Sequence, residues 1–450
     1  MEKITQIIGG LTGITEWIML FLIIGGGLFL VVSSKLLPYR FIKHAIEVVA
    51  GKYDKASDSG EVSHFQALAS VVAATVGLGN ISGVAIAIYY GGPGVVFWMW
   101  LTAIIGGCIK FYSAGLSILF RSKDAEGNVQ GGPMYYMVNG LGKYGKPLAV
   151  FFSLAGLVAV LPAFTVNQFT QSVITVVNPN AYLDIGEFNW KLIIGIVLVI
   201  ATSMVIYGGL KKIVRVASAL VPFMVALYIL AALVIMFTNV DQILPSFQQI
   251  FAEAFNFNTA VQGGFWGLVI LGVRRAVFSN ESGIGTAPMY HGQSKTNEPI
   301  QEGLVAMLGP FIDTLIVCTI TALIIIISGT YLEAEHNGIV MTLHAFDKLL
   351  FGFGDELLLL LVVVFAISTL FTYSYYGTKC LTFLAGRKIG SYYNTIYIFS
   401  IIFAAIASLE LVIGLIDLSF ALMAIPNMIA VLWLSPHINK AMKAYFSKVK

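Results

Sequence analysis

The chain has 450 residues, of which 58% are hydrophobic and 11% charged, whereas an ordinary soluble domain carries about 25% charged residues. That much apolar surface exceeds what one water-soluble core can hide, so a soluble globule is excluded and lipid is the solvent for most of the chain. The formal net charge of +3 says less than the placement of the basic residues, and nothing in it points to nucleic acid.

A membrane-crossing helix needs roughly 20 mostly apolar residues. Taken in chain order, such runs predict eleven spans, near 15–33, 64–90, 94–119, 147–177, 191–208, 216–238, 263–290, 300–328, 355–380, 394–412 and 414–435. The first is too long for the core of a signal peptide and reads as a span. Alternate connections (34–63, 120–146, 209–215, 291–299, 386–393 and the tail after 436) hold nineteen Lys and Arg, against three in the other set, Lys3, Lys191 and Lys348. By the positive-inside rule the N-terminus lies outside and the C-terminus inside. PYRFIKHAIEVV (38–49) reads as an amphipathic helix on the cytoplasmic surface, and GGPMYYMVNGLG (131–142) as a short interfacial helix opened by Pro133. Cys108, Cys318 and Cys380 lie in apolar runs without CxxC spacing, so neither disulfides nor a zinc site is expected.

Two spans weaken themselves at mid-length. The second contains GLGNISG (77–83), and the seventh contains FSNESGIGT (278–286), with a carboxylate at Glu281. Glycine and asparagine are poor helix formers. Backbone released inside hydrocarbon must also find partners, so such breaks survive only against protein or a polar cavity. Setting aside the first span, the breaks fall in the first and sixth of ten, the matching members of two five-helix halves that enter from opposite sides. Paired interruptions in inverted repeats point to the binding site of a secondary transporter. The divisions are 1–63, an extra N-terminal helix with the amphipathic segment; 64–238 and 239–435, the two repeats; and 436–450, a cytoplasmic basic tail.

At each break the starting half-helix exposes N–H groups with positive dipole character and the ending one exposes C=O groups. N–H groups suit a carboxylate, and C=O groups an ammonium or Na⁺, so two facing breaks can hold an α-amino acid largely with main chain. The competing reading of Gly79 and Gly83 is a GxxxG packing pair. For Asn80 the competing reading is a cap of the following half-helix; for Gln168, in a polar stripe with Thr165, Asn167 and Gln171, it is a helix-packing bond. Phe278, with neighbours such as Trp100, Phe164 or Phe371, is a candidate cap for a small cavity. Intramembrane charge is costly, so Glu281 or Asp313 is expected to pair with Arg274 or Arg275. A channel is disfavoured by the lack of a filter-like segment, and a membrane enzyme by the absence of HExxH or clustered His on span faces.

The runs ATVGLGNISGVAIAIYYGGPGVVFWMW (74–100), GGPMYY (131–136), RRAVFSNESGIGTAPMYHG (274–292) and LVAMLGPFIDTLIVCTITAL (304–323) together resemble the alanine or glycine:cation symporter family of prokaryotes, in the amino acid/polyamine/organocation superfamily. The resemblance implies an all-α polytopic membrane protein with the leucine-transporter fold, a 5+5 inverted repeat plus one N-terminal helix. It implies Na⁺-coupled uptake of alanine and glycine across the plasma membrane, with a monomer as the functional unit. It assigns the substrate carboxylate to Gly77, Leu78 and Gly79, with Thr75 and Asn80 beside them, and the ammonium group to Phe278, Ser279 and Ser282. Gln168 is a further substrate candidate, and Na⁺ falls to Ala73, Val76, Ser368 and Thr369. No arginine follows the glycines, so the extracellular arginine gate of neurotransmitter-type relatives does not carry over.

Overall fold

The computed structural model describes residues 10–449 apart from 11, 14, 56, 125, 178–185, 257–263, 334–336 and 351. Among these, eight helices are long and apolar enough to cross a membrane, and nine if the bent pair His64–Thr75 (α3) and Leu78–Gly91 (α4) counts as one span. The eight are Thr15–Ser33 (α1), Val95–Leu119 (α5), Gly142–Val177, Phe188–Ile206 within Glu187–Ile206 (α9), Gly209–Thr238 (α10), Pro299–Ser328 (α14), Gly354–Gly390 (α16) and Leu409–Lys448 within Leu409–Val449 (α18). The other two expected spans coincide with Gly264–Asn280 (α12), which a coil joins to the short Ala287–His291 (α13), and with Tyr393–Ile406 (α17).

Gly142–Val177 is itself divided, into Gly145–Ala159 (α7) and Ala163–Val177 (α8). Pro162 lies in the gap, where its ring blocks continuation from the preceding turn, and its carbonyl accepts from Val166 N–H at 3.0 Å to start α8. α14 carries a π-helical stretch, Phe311–Cys318, directly after Pro310, a usual response to a proline in the ladder. α3 begins on a capping box: Ser63 Oγ accepts from Gln66 N–H at 3.2 Å and Gln66 Oε1 from Ser63 N–H at 3.0 Å, satisfying two donors that a helix start leaves orphaned.

The helices pack as two groups. α5 lies along α12 and α14 with α4 against them, forming a bundle; α9 packs on α17, and α8 on α16 and α17, forming a frame. α10 touches both α3 and α16, and α18 packs on α7. The face bearing the basic connections also carries Ile42–Val49 (α2), a hairpin of Ser122–Lys123 (β1) and Val129–Gln130 (β2), and Pro133–Gly140 (α6). Two helices lie in connections of the opposite set where none was expected, Val240–Ala254 (α11) and Ile339–Leu349 (α15).

The amphipathic segment turns its buried face to protein as well as to the surface: Phe41 stacks on Phe446 at 4.1 Å, and His44 Nε2 lies 2.7 Å from Tyr445 Oη. The residues read as a basic tail are the helical end of α18. All three cysteines are buried and free.

Candidate functional site at the two breaks

α3 ends at Val76 (φ −75°, ψ 94°), Gly77 is extended (φ −156°, ψ −150°), and the chain bends by 41° into α4. The bend is closed locally: Gly77 N–H donates to Asn80 Oδ1 at 2.9 Å, which releases the Ala73 carbonyl from its helical partner. The N–H groups of Leu78 and Gly79 have no protein acceptor among the described residues, as the first turn of a helix requires unless something caps it.

The second break spans Glu281 to Thr286. Glu281, Gly283 and Gly285 take left-handed or related backbone (φ 54°, 86° and 101°); the glycines adopt it without a Cβ clash, and Glu281 is held there by side-chain contacts. Its carboxylate accepts from the hydroxyls of Thr286 and Tyr373, and Asn427 Nδ2 donates to the Gly283 carbonyl at 2.7 Å. Phe278 and Ser279, read as part of the break, are instead the last turn of α12. Glu281 N–H returns to the Val277 carbonyl at 2.9 Å, while the Phe278 and Ser279 carbonyls receive no backbone N–H among the described residues.

These two helix ends line one small cavity of about 30 Å³. The first break supplies Thr75, Gly77, Leu78 and Gly79, and the end of α12 supplies Phe278 and Ser279; α8 supplies Phe164 and Thr165, α16 Thr369 and Tyr373, the end of α7 and the turn after it Ala159 and Leu161, and α18 Ile416 and Phe420. Thr75 Oγ1 is buried there without a hydrogen-bond partner among the described residues. Phe164 meets Phe278 edge-on at 4.8 Å and Phe420 lies 6.0 Å from it, so aromatic rings wall one side. One turn below Val76, the hydroxyls of Ser368 and Thr369 converge on the Ala73 carbonyl at 3.4 and 3.2 Å. Ser368 also bonds the Phe365 carbonyl of its own helix at 2.9 Å.

A family model described as the sodium:alanine symporter family matches residues 1–450. The chain belongs to that family. A relative from Methanococcus maripaludis named sodium/alanine symporter AgcS is 39% identical over 95% of this chain and 94% of its own length. Two relatives from Bacillus subtilis are the probable sodium/glutamine symporter GlnT, 33% identical over 100% of this chain and 92% of its own, and the putative sodium/proton-dependent alanine carrier protein YrbD, 32% identical over 95% and 89%. The crystal structure of MhsT in complex with L-phenylalanine is similar with a TM-score of 0.57 at 15% identity, covering 86% of this chain and 99% of that one. The protein is thus a multi-pass membrane transporter with a leucine-transporter type of fold.

Not every expected site residue of the transporter reaches the cavity. Asn80 points away from it and ties α4 to α14, donating to the Asp313 carbonyl at 3.2 Å and approaching Cys318 Sγ at 3.4 Å; the capping reading accounts for its side chain. Gln168 accepts from Ser82 and from Ile339 N–H at 3.2 Å. It therefore fixes α15 over α4 and α8, on the side away from the basic face. Ser282 lies in the coil with its hydroxyl against Gly106, where an added Cβ would come within 2.5 Å of it. Trp100 donates to Thr319 at 2.7 Å, and neither it nor Phe371 lines the cavity.

The arginines do not pair with Glu281 or Asp313. Arg274 binds Glu16 of α1, and Arg275 lies 3.7 Å from Asp417 of α18, its guanidinium 5.8 Å from the Phe278 ring centre. Six residues separate Arg275 from Glu281, about 9 Å along a helix, so the carboxylates nearest in sequence are out of reach. Asp313 instead accepts from Ser279 at 2.7 Å and from Thr314 at 2.8 Å. At the basic face, Glu302 joins His64, which starts α3, to His291, which ends α13. Glu61 N–H donates to the Gln293 carbonyl at 2.8 Å and Lys295 N–H to the Val62 carbonyl at 2.7 Å, so the two broken spans are fastened together on that side.

Proposed function

We propose that this transporter couples Na⁺ to the import of small neutral amino acids, alanine first and glycine with it, by alternating access. The substrate carboxylate binds the Leu78 and Gly79 N–H groups at the start of α4, with the Thr75 hydroxyl beside it. The ammonium group faces the Phe278 and Ser279 carbonyls at the end of α12. Na⁺ is held by the carbonyls of Ala73 and Val76 and the hydroxyls of Ser368 and Thr369, hard oxygen donors of the kind an alkali cation prefers. The observation that carries this reading is that N–H groups from one break and C=O groups beside the other, unpaired among the described residues, line a single cavity.

The same placement supports the mechanism. The start of α4 and the end of α12 belong to the bundle, whereas Ser368, Thr369 and Phe164 belong to the frame, and Ala73 lies on α3, which packs on α10 and α16. Ligands that contact both groups stabilise the closed arrangement over one in which they part, which is the differential affinity a conformational shift requires. With the N-terminus outside, eleven spans and inverted repeats, the fastening at Glu302 is cytoplasmic, and it must open for release.

Small substrate size is supported by the aromatic wall that Phe164, Phe278 and Phe420 form beside the helix ends; a glutamine side chain needs that wall to give way. The test is uptake of labelled alanine, glycine and glutamine into proteoliposomes with and without an inward Na⁺ gradient. Alanine and glycine accumulation that requires Na⁺ supports the proposal, and accumulation driven by a proton gradient alone contradicts Na⁺ coupling. Glu281→Gln separates the two further: a structural carboxylate leaves Na⁺ stimulation intact, whereas a coupling carboxylate loses the response to Na⁺ or pH.

A further inference from the structure

A second cavity, of about 500 Å³, opens on the basic face between the end of α16, the β1–β2 hairpin and the start of α10. It is separated from the central cavity by a stack of tyrosines. Tyr373 lines the central cavity and Tyr375 the second one. Between them Tyr290 packs 4.6 Å from Tyr375 and 5.2 Å from Tyr376, and Tyr376 packs 5.7 Å from Tyr373. The stack stands between the central site and the second cavity.

The wall of that cavity holds Lys379, only 5% exposed. Its ammonium donates to Gln130 Oε1 and, with the Gln293 amide oriented to satisfy its neighbours, to Gln293 at 2.9 Å. It also lies 5.5 and 5.9 Å from the ring centres of Tyr135 and Tyr375. All these partners are neutral, and among the described residues no carboxylate reaches ion-pair distance. A buried cation held only by dipoles and ring faces is under-compensated, so an anionic group arriving in the cavity gains a charge-assisted bond. Glu61 and Asp124 line the same cavity within electrostatic reach of Lys379, but the Asp124 carboxylate is already taken up by the Asn128 main chain and side chain and by Gln130, which leaves Glu61 as the carboxylate open to a ligand. Its main chain is pinned to the Gln293 carbonyl, and its side chain is exposed with no partner among the described residues.

We infer that this cavity is a second, release-side binding site for the transported α-amino acid, with Lys379 taking the carboxylate and Glu61 the ammonium group. The inference rests on the proposed transport of small amino acids and adds a site distinct from the two breaks. With Asp124 engaged by Asn128 and Gln130 and the exposed Arg387 beside Glu126, the buried Lys379 and the open Glu61 are the charges left to a ligand, and opposite charges on one wall match a zwitterion better than a simple anion. The site gives the carboxylate a counter-charge once it leaves the main-chain N–H groups, and its openness to water makes the binding weak enough for release.

The test is sided. In proteoliposomes with the full chain, initial rates of labelled alanine exchange are measured against alanine concentration from the basic face and from the opposite face separately. Lys379→Gln is expected to raise the half-saturating alanine on the basic face by roughly tenfold, the loss of one charge-assisted bond, and to leave the opposite face unchanged. Glu61→Gln, in an exposed loop, is expected to shift the same side in the same direction and stands as the test if Lys379→Gln does not fold. An unchanged value on the basic face, or an equal shift on both faces, overturns the inference. Absence of Na⁺-stimulated alanine transport by the wild-type protein would instead overturn the reading it rests on.

Discussion

The two breaks interrupt matching helices by different means. The first is a two-residue kink: one asparagine amide closes it, the backbone stays out of the left-handed region, and the N–H groups of Leu78 and Gly79 stay uncapped. The second is a six-residue coil in which three residues have positive φ, one carboxylate clasps two hydroxyls, and Asn427 ties down a carbonyl. At the first break the main chain itself is presented to the cavity. At the second, the cavity is met by the helix end before the coil, and the coil serves as a rigid joint. A short interruption thus leaves dipoles for a ligand, and a long one consumes most of its own polar groups in holding shape.

That contrast predicts different failures. The largest effect is expected for Glu281→Ala, which leaves the buried Thr286 and half-buried Tyr373 hydroxyls without their acceptor and costs about 3 kcal/mol or more. It should appear as a lowered thermal unfolding temperature of the purified protein. Gly77→Ala is expected to fold but to lose coupling, because the new Cβ falls 2.6 Å from Thr369 Oγ1 and displaces that hydroxyl. Losing one ligand of the proposed Na⁺ site, about 2 kcal/mol, is expected to raise the Na⁺ concentration for half-maximal uptake by roughly thirtyfold. Phe164→Ala opens the aromatic wall and is expected to improve uptake of a substrate one methylene longer than alanine by about tenfold relative to alanine itself, read as a ratio of kcat/KM values. Gly83→Ala is expected to be nearly silent, within about 0.5 kcal/mol, since its Cβ meets Phe278 at an ordinary 3.5 Å. A severe defect there would make the glycine pair a packing device first and would weaken the contrast between the breaks.

The existence of both breaks was legible because glycine with a polar residue in mid-span is a local pattern whose cost in lipid is high. The capping role of Asn80 was legible for the same local reason. The third interruption had a visible mark as well: Pro162 stands inside an apolar run, and reading LVAVLPAF as one span passed over the residue that places Ala159 and Leu161 in the cavity. Partners distant in sequence were not legible. Arg274 finds Glu16 and Arg275 finds Asp417, because helix packing brings α1 and α18 to α12, and no spacing within one span encodes that. For Gln168 the packing bond was one of the two readings open, but its partner was not legible. Its partner Ile339 N–H starts α15, a helix in a connection whose apolar content is too short to announce itself against eleven stronger runs.

The most direct measurement is a density map of the protein purified with alanine in Na⁺. The predicted result is alanine between the breaks, its carboxylate within hydrogen-bonding distance of the Leu78 and Gly79 N–H groups and its nitrogen against the Phe278 and Ser279 carbonyls. Alanine bound only elsewhere, or α3 and α4 running as one unbroken helix, would contradict it.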